Sequence, residues 1–167
     1  YSMFHKEKLS TTPYQRVLNL LSFLLFLGLF LYPALIWSKI PDEIPTHYNF
    51  AGEADAFGNK SSILIPSFIG ALLYGLLIFV GHFPKIWNVP VKITAENKDW
   101  VYRNVKSLLS TINFLVMLVY FYINYQSLSQ KNLNPIFIAG LLFSLFVSIF
   151  FFCLRCKKTP PAQKDVS

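Results

Sequence analysis

Four long apolar blocks constrain this chain more than any other feature of its sequence. They cover residues 17–37, 63–83, 108–125 and 135–154, and none of them contains Asp, Glu, Lys or Arg. An α-helix rises about 1.5 Å per residue, so about 20 apolar residues cross the roughly 30 Å hydrocarbon core of a bilayer. The pattern therefore predicts an all-α integral membrane protein whose four transmembrane helices form a bundle.

A soluble four-helix bundle is the alternative, and two observations count against it. Only 14% of the 167 residues are charged, whereas about a quarter is usual in soluble domains. The helices of a soluble bundle also need polar faces at helical spacing, and residues 20–31 show no such face. We therefore prefer the membrane prediction.

The basic residues are distributed unevenly between the two sides of this predicted bundle. Twelve of the 15 lie before the first block, between the second and third, or after the fourth. By the positive-inside rule that side is cytoplasmic, so both termini are expected inside and residues 39–62 outside. The net charge of +7 then reflects topology, and its expected partners are the anionic headgroups of the bilayer rather than nucleic acid. The twelve residues are Lys6, Lys8, Arg16, Lys85, Lys92, Lys98, Arg103, Lys106, Arg155, Lys157, Lys158 and Lys164.

The chain divides into three parts on this interpretation. Residues 1–16 form a polar cytoplasmic lead, residues 17–154 one helical membrane domain, and residues 155–167 a basic, disordered cytoplasmic tail. Cys153 and Cys156 have the spacing of half a zinc site, but no second pair or nearby histidine completes it. Unbonded thiols are therefore expected there, with reversible palmitoylation as the alternative.

Small and amide side chains within the spans indicate helix packing. Gly70, Ala71 and Gly75 lie in span two, and the pair Ala71 and Gly75 has the small-xxx-small spacing that allows another helix to approach closely. Ordinary tolerance of glycine in membrane helices is the alternative. Asn113 lies within span three, where an unpaired amide is costly, so we expect it to bond to a neighbouring helix or to line a small cavity.

The outer loop, residues 39–62, contains the most distinctive chemistry of the sequence. Its prolines and glycines predict repeated turns, and we expect a small ordered cap, with a short hairpin as one form that it can take. The candidate residues for ligand recognition or for structuring the loop are Pro45, His47, Asn49, Gly52, Asp55 and Lys60.

Three roles remain open for this loop. His47 and Asp55 can bond to each other and fix the turn, they can recognise a ligand, or they can act as weak candidates for binding a metal. No His-x-x-x-His pair, no nucleophile with a nearby base and no Gly-rich phosphate cradle is present in the sequence. We therefore expect no enzyme activity and no cofactor.

The spacing of the loop residues resembles a known signature. Pro41-x-x-Ile44-Pro45-x-His47-x-Asn49-x-x-Gly52-x-x-Asp55, followed by Gly58-x-Lys60, is similar to the pattern of the membrane family called domain of unknown function 1648. That module also begins the SdpI-type immunity proteins, and its extent here is roughly residues 17–82. Spans three and four contain no motif of this kind.

The resemblance implies a multi-pass protein of the bacterial cytoplasmic membrane. It also implies an immunity or sensing role through the outer loop, with an envelope peptide or a membrane protein as partner. Two alternatives remain, namely an accessory or structural subunit of a larger membrane complex and a metal-dependent membrane enzyme.

Single cysteines test the predicted topology, once Cys153 and Cys156 are replaced by serine. Asn59→Cys and Lys60→Cys are expected to react with a membrane-impermeant thiol reagent in intact cells. Lys98→Cys and a cysteine in the tail from residue 159 should react only after the membrane is opened, because basic residues favour the cytoplasmic side. Labelling of Lys98→Cys from outside would contradict the topology.

Overall fold

Residues 10–158 are described by a computed structural model of the chain. Four α-helices follow one another, and an antiparallel two-stranded hairpin connects the first two. The helices are α1 (Pro13–Ile36), α2 (Leu64–His82), α3 (Lys98–Leu128) and α4 (Pro135–Lys157), and the strands are β1 (Glu43–Tyr48) and β2 (Ala54–Asn59). The predicted helical bundle with a small hairpin is confirmed. Most of the predicted lead (1–9) and tail (159–167) lies outside the described residues.

Side-chain hydrogen bonds cap the first turns of α1 and α4. At α1, Thr12 and Gln15 form a capping box, in which each side chain bonds to the backbone amide of the other residue. At α4, the side-chain oxygen of Asn134 accepts hydrogen bonds from the amides of Ile136 and Phe137. These bonds satisfy amides that an α-helix leaves without partners in its first turn.

All four helices are long and apolar enough to cross a membrane. Their large apolar side chains, such as Leu35, Leu72 and Ile136, are widely exposed on the outside of the bundle, as expected where lipid replaces water. The chain is therefore of the multi-pass membrane type. α3 extends beyond the predicted span at both ends. The segment Lys98–Ser107 precedes the span and residues 126–128 follow it in the same helix.

The helix α3 lies at the centre of the arrangement. It packs against α1, α2 and α4, and α4 makes its main contacts with α3. Most of the side chains that α3 buries are polar or small, which lets neighbouring backbones approach and form interhelical hydrogen bonds. These polar residues are Asn104, Ser107, Ser110, Thr111, Asn113, Asn124 and Ser127.

Close helix packing occurs at Gly70, one of the predicted packing residues, and not at Gly75. A Cβ atom at Gly70 would lie 3.0 Å from Leu29 Cδ1 and 3.1 Å from Tyr120 Cγ, whereas one at Gly75 would meet nothing within 4 Å. At 3.6 residues per turn, Gly75 points about 140° away from Gly70 around the helix. Gly75 therefore makes no close approach to another helix within residues 10–158.

Asn113 is buried among protein atoms, as predicted, with 5% of its surface exposed. The predicted hydrogen bond to a neighbouring helix is not formed by its Oδ1 atom, which has no partner among residues 10–158. Asn124 Oδ1 also has no partner among these residues, but Asn124 Nδ2 donates to Ser67 Oγ at 2.7 Å, and Ser67 Oγ lies 3.2 Å from the carbonyl oxygen of Leu29. The polar contact between α1, α2 and α3 is therefore made at Asn124.

Asn113→Leu is expected to leave the free energy of unfolding unchanged or to raise it by up to about 1–3 kcal/mol, because it removes an unpaired buried acceptor and keeps the branched shape of the side chain. Ser67→Ala is the matched comparison, and it should lower that free energy because Asn124 Nδ2 loses its acceptor. Thermal unfolding in detergent, followed by circular dichroism, measures both. Equal destabilisation by the two substitutions would show that Asn113 is paired.

Candidate functional site

The cap, residues 39–63, rests on the ends of the helices through a small apolar cluster. Ile40, Ile44 and Ile63 are almost completely buried against Leu128 at the end of α3, and Tyr32 and Ile36 of α1 pack beside them. On β1, Ile44 and Pro45 are buried on the bundle, whereas Glu43, Thr46 and His47 are exposed. The cap is therefore an ordered layer over the bundle, as its prolines and glycines indicated.

Hydrogen bonds fasten β1 to the end of α3 and to the turn that follows it. Ser127 Oγ donates to the carbonyl oxygen of Pro45 at 2.6 Å in a buried position, and Gln130 Nε2 donates to that of Glu43 at 2.6 Å. Tyr48 Oη donates to the carbonyl oxygen of Lys131 at 3.3 Å. Desolvation raises the pKa of the Tyr48 phenol, which keeps it protonated and able to donate.

Asn49 shapes the turn between the two strands. Its side-chain oxygen accepts hydrogen bonds from the amides of Ala51 at 2.9 Å and Glu53 at 3.0 Å, and its Nδ2 donates to the carboxylate of Glu53 at 3.1 Å. An Asn side chain that bonds to amides further along the chain is a common way to stabilise a tight turn. Asn49 is thus engaged in holding the hairpin.

Gly52 joins the hairpin turn to the connection between α3 and α4. Its φ is +81°, and its carbonyl oxygen accepts a hydrogen bond from the amide of Leu133 at 2.7 Å. A Cβ at Gly52 would lie 2.3 Å from the carbonyl oxygen of Leu133, so only glycine fits. The positive φ was predictable from the sequence. The contact with Leu133 was not, because nothing in the sequence indicates that these two loops are neighbours.

Gly58 has a different role from the one predicted. It lies inside β2 and is not among the residues with positive φ, so it makes no turn. A Cβ there would lie 3.1 Å from the methyl group of Thr46 on β1. Gly58 therefore allows close approach of the strands.

Lys60 closes the base of the hairpin. Its Nζ lies 3.0 Å from Asp42 Oδ1 and 5.4 Å from the centre of the Trp37 ring. Its backbone amide also donates to the carbonyl oxygen of Asp42 at 2.9 Å. Lys60 therefore holds the two ends of the cap together beside the end of α1.

His47 and Asp55 are in direct contact, as predicted. His47 Nδ1 and Asp55 Oδ1 lie 2.6 Å apart, with 69% and 42% of the two side chains exposed. The strand pairing is irregular on both sides of His47, so Thr46 and Asp55 have no partner opposite them. Bulges of this kind redirect side chains, and here they bring the carboxylate to the imidazole at the surface.

Two exposed aromatic side chains belong to the same hairpin and were not singled out in the sequence. Phe50 is fully exposed at the turn, and Phe57 is more than half exposed on β2. Large aromatic side chains exposed to water are unfavourable. Their occurrence in an otherwise polar loop of the sequence is the signal that could have identified them.

The donor set does not resemble a complete metal site. No group of three or more His, Cys, Asp or Glu side chains is brought together within residues 10–158, and protein sites for transition metals usually have at least three protein ligands. The weak candidates His47 and Asp55 supply two. Cys153 and Cys156 are free thiols on α4, near the opposite end of the bundle.

Comparison with known proteins agrees with the signature of the cap. Residues 24–71 match the family model described as Domain of unknown function (DUF1648). The match confirms the predicted resemblance, and it covers the cap together with the parts of α1 and α2 that flank it. An uncharacterized protein of Archaeoglobus fulgidus is 28% identical over 157 residues, with 82% of each chain covered. No solved structure matches this chain.

Gly52→Ala is expected to detach the turn from Leu133 and to lower the free energy of unfolding by about 1–3 kcal/mol, because alanine is strained at this φ and clashes with the carbonyl of Leu133. Hydrogen exchange should show faster exchange at the Leu133 amide. Gly58→Ala is the control on the same hairpin, and it should disturb the Leu133 amide much less because the nearest atom is a side-chain methyl. An unchanged exchange rate of the Leu133 amide in Gly52→Ala would show that the hydrogen bond between Leu133 and Gly52 is not formed.

Proposed function

We propose that the cap is a recognition surface of a non-enzymatic membrane protein, and that its ligand is an envelope-active peptide or the exposed segment of a membrane partner. In this proposal the cap lies outside the cytoplasmic membrane of a bacterium, with both termini inside. The role corresponds to that of the SdpI-type immunity and sensing proteins.

The observation that supports this proposal is the division of labour among the signature residues. Pro45, Asn49, Gly52 and Lys60 are used to build and attach the cap. His47 and Asp55 instead form a largely exposed pair that bonds within itself. An exposed pair of oppositely charged side chains contributes only about 0–1 kcal/mol to the free energy of folding. Stability of the fold therefore gives little reason for this pair. A binding role gives a reason for the pair and for the bulges that form it.

The charge and apolar surface of the cap indicate the class of ligand. Residues 39–63 contain four carboxylates and two lysines, and Lys60 is paired with Asp42. Phe50 and Phe57 add exposed aromatic surface beside the remaining acids. A cationic segment with apolar side chains complements this surface, because opposite charge guides encounter and aromatic contacts supply affinity.

An accessory role in a larger membrane complex is supported by a different observation. Gly75 is exposed, and a Cβ there would meet nothing within 4 Å, so this face of α2 is open to a helix of another protein. The metal-dependent enzyme has the weakest support, because it rests on two candidate ligands alone.

The proposal predicts that His47→Ala abolishes function without unfolding the protein. Cells that express the chain are challenged with cationic membrane-active peptides, and survival is compared with that of cells without it. Protection should be lost in His47→Ala and in Asp55→Asn. It should persist in Thr46→Ser, which alters an exposed, uncharged side chain on the same strand. Cross-linking of a labelled peptide to a photoreactive residue at position 50 should follow the same order.

The outcomes separate the two candidate functions. Protection that survives both His47→Ala and Asp55→Asn would overturn recognition by the cap. If a co-purifying membrane protein is retained by His47→Ala but lost by Gly75→Leu, the accessory role is supported instead. Gel filtration in detergent confirms that each variant is folded.

A further inference from the structure

A cavity lies at the end of the bundle opposite the cap, between the first turn of α1, the beginning of α3 and the end of α4. Its volume is about 540 Å³, and Tyr14, Arg103, Ser107, Ser148 and Arg155 are among the residues that line it. We call it the arginine cavity. It plays no part in the recognition proposed for the cap.

The two arginines of this cavity have no carboxylate partner among residues 10–158. Within the described residues, the carboxylates that contact a basic side chain are Asp55, beside His47, and Asp42, beside Lys60, and both belong to the cap. Arg155 is nevertheless only partly exposed. A cation withdrawn from water without a counter-charge is unfavourable, so the partly buried guanidinium of Arg155 favours an anion in the cavity. Arg103, which is exposed, adds a second positive charge to the lining.

The guanidinium of Arg155 is held in place by aromatic rings. Its Cζ atom lies 5.2 Å from the centre of the Trp100 ring and 5.7 Å from that of Phe151. Trp100 Nε1 donates to the carbonyl oxygen of Arg155 at 3.0 Å, and Asn104 Nδ2 donates to that of Trp100 at 3.0 Å. A planar, oriented guanidinium can donate two parallel hydrogen bonds to a phosphate.

The wall of the cavity on α4 is mainly apolar and runs toward the middle of the bundle. Val147, Phe151 and Phe152 line it on α4, and Val147 precedes Arg155 by eight residues, or about 12 Å along the helix. The cavity is thus charged at the end of the bundle. Farther in it is lined by Val147 and by Ser107 and Ser148, whose hydroxyl groups donate to carbonyl oxygens of their own helices. A free phosphate would use the charged part alone, whereas an amphiphile matches both.

We infer that the arginine cavity binds one anionic phospholipid. Its phosphate lies between Arg103 and Arg155, and part of an acyl chain lies against Val147 and Phe151. Basic pockets between membrane helices are suited to such headgroups. The lipid would connect the start of α3 with the end of α4.

Native mass spectrometry and thermal unfolding of delipidated protein in detergent test this inference. Phosphatidylglycerol should bind as one saturable copy and raise the unfolding temperature, whereas phosphatidylcholine with the same chains should not. Binding should weaken about tenfold or more in the Arg103→Gln/Arg155→Gln variant, because charge-assisted hydrogen bonds are lost. The Lys85→Gln/Lys92→Gln variant removes the same charge from the same side of the bundle and should bind normally.

Ser148→Phe provides a test that keeps both arginines. It fills the cavity from α4, so it should reduce lipid binding even if the arginine variant does not fold. Equal weakening in the arginine and lysine variants would show attraction to basic charge in general and overturn the inference. An equal rise in unfolding temperature with glycerol phosphate or inorganic phosphate would overturn it in favour of a soluble anion.

Discussion

Inside a bilayer the lipid chains are as apolar as leucine, so helices gain little by burying apolar side chains against one another. Close packing and interhelical hydrogen bonds must hold them together instead. The helix α3 supplies both, because it contacts the other three helices and buries mainly serine, threonine and asparagine side chains. Where Asn124 donates to Ser67, and Ser67 lies against the backbone of Leu29, three helices meet through polar contacts. The bundle depends on this line of polar contacts along one helix.

The cap depends on the same helix. Ser127, Leu128 and Gln130, at and just beyond the end of α3, provide a hydrogen bond, an apolar contact and a second hydrogen bond to the hairpin. The signature that resembles a known family lies in the cap, between the first two spans. The third span nevertheless holds it in position. His47 and Asp55 are therefore presented by a surface whose orientation is set by residues far away in the sequence.

The sequence predicted features that local or bilayer constraints determine. Bilayer thickness sets the length of each span, and prolines and glycines bring His47 and Asp55 together across eight residues. Rotation of each helix about its axis was not predictable, because α2 is apolar on every side and no periodicity shows which face is buried. For that reason Gly70, and not Gly75, proved to be the packed glycine. That Arg103 and Arg155 line one cavity also required the tertiary structure, since their positions in the sequence are unrelated.

The hydrogen bond between Gly52 and Leu133 joins the hairpin turn and the connection between α3 and α4 into one structural unit. Surface loops usually accept insertions and length changes with little effect. Here an added residue in either loop would displace a hydrogen bond of 2.7 Å and a contact that leaves no space for a Cβ atom. The two loops can therefore change length only together during evolution. For the same reason an epitope tag or fluorescent protein placed between α3 and α4 would disturb the hairpin, although the two lie about 80 residues apart in the sequence.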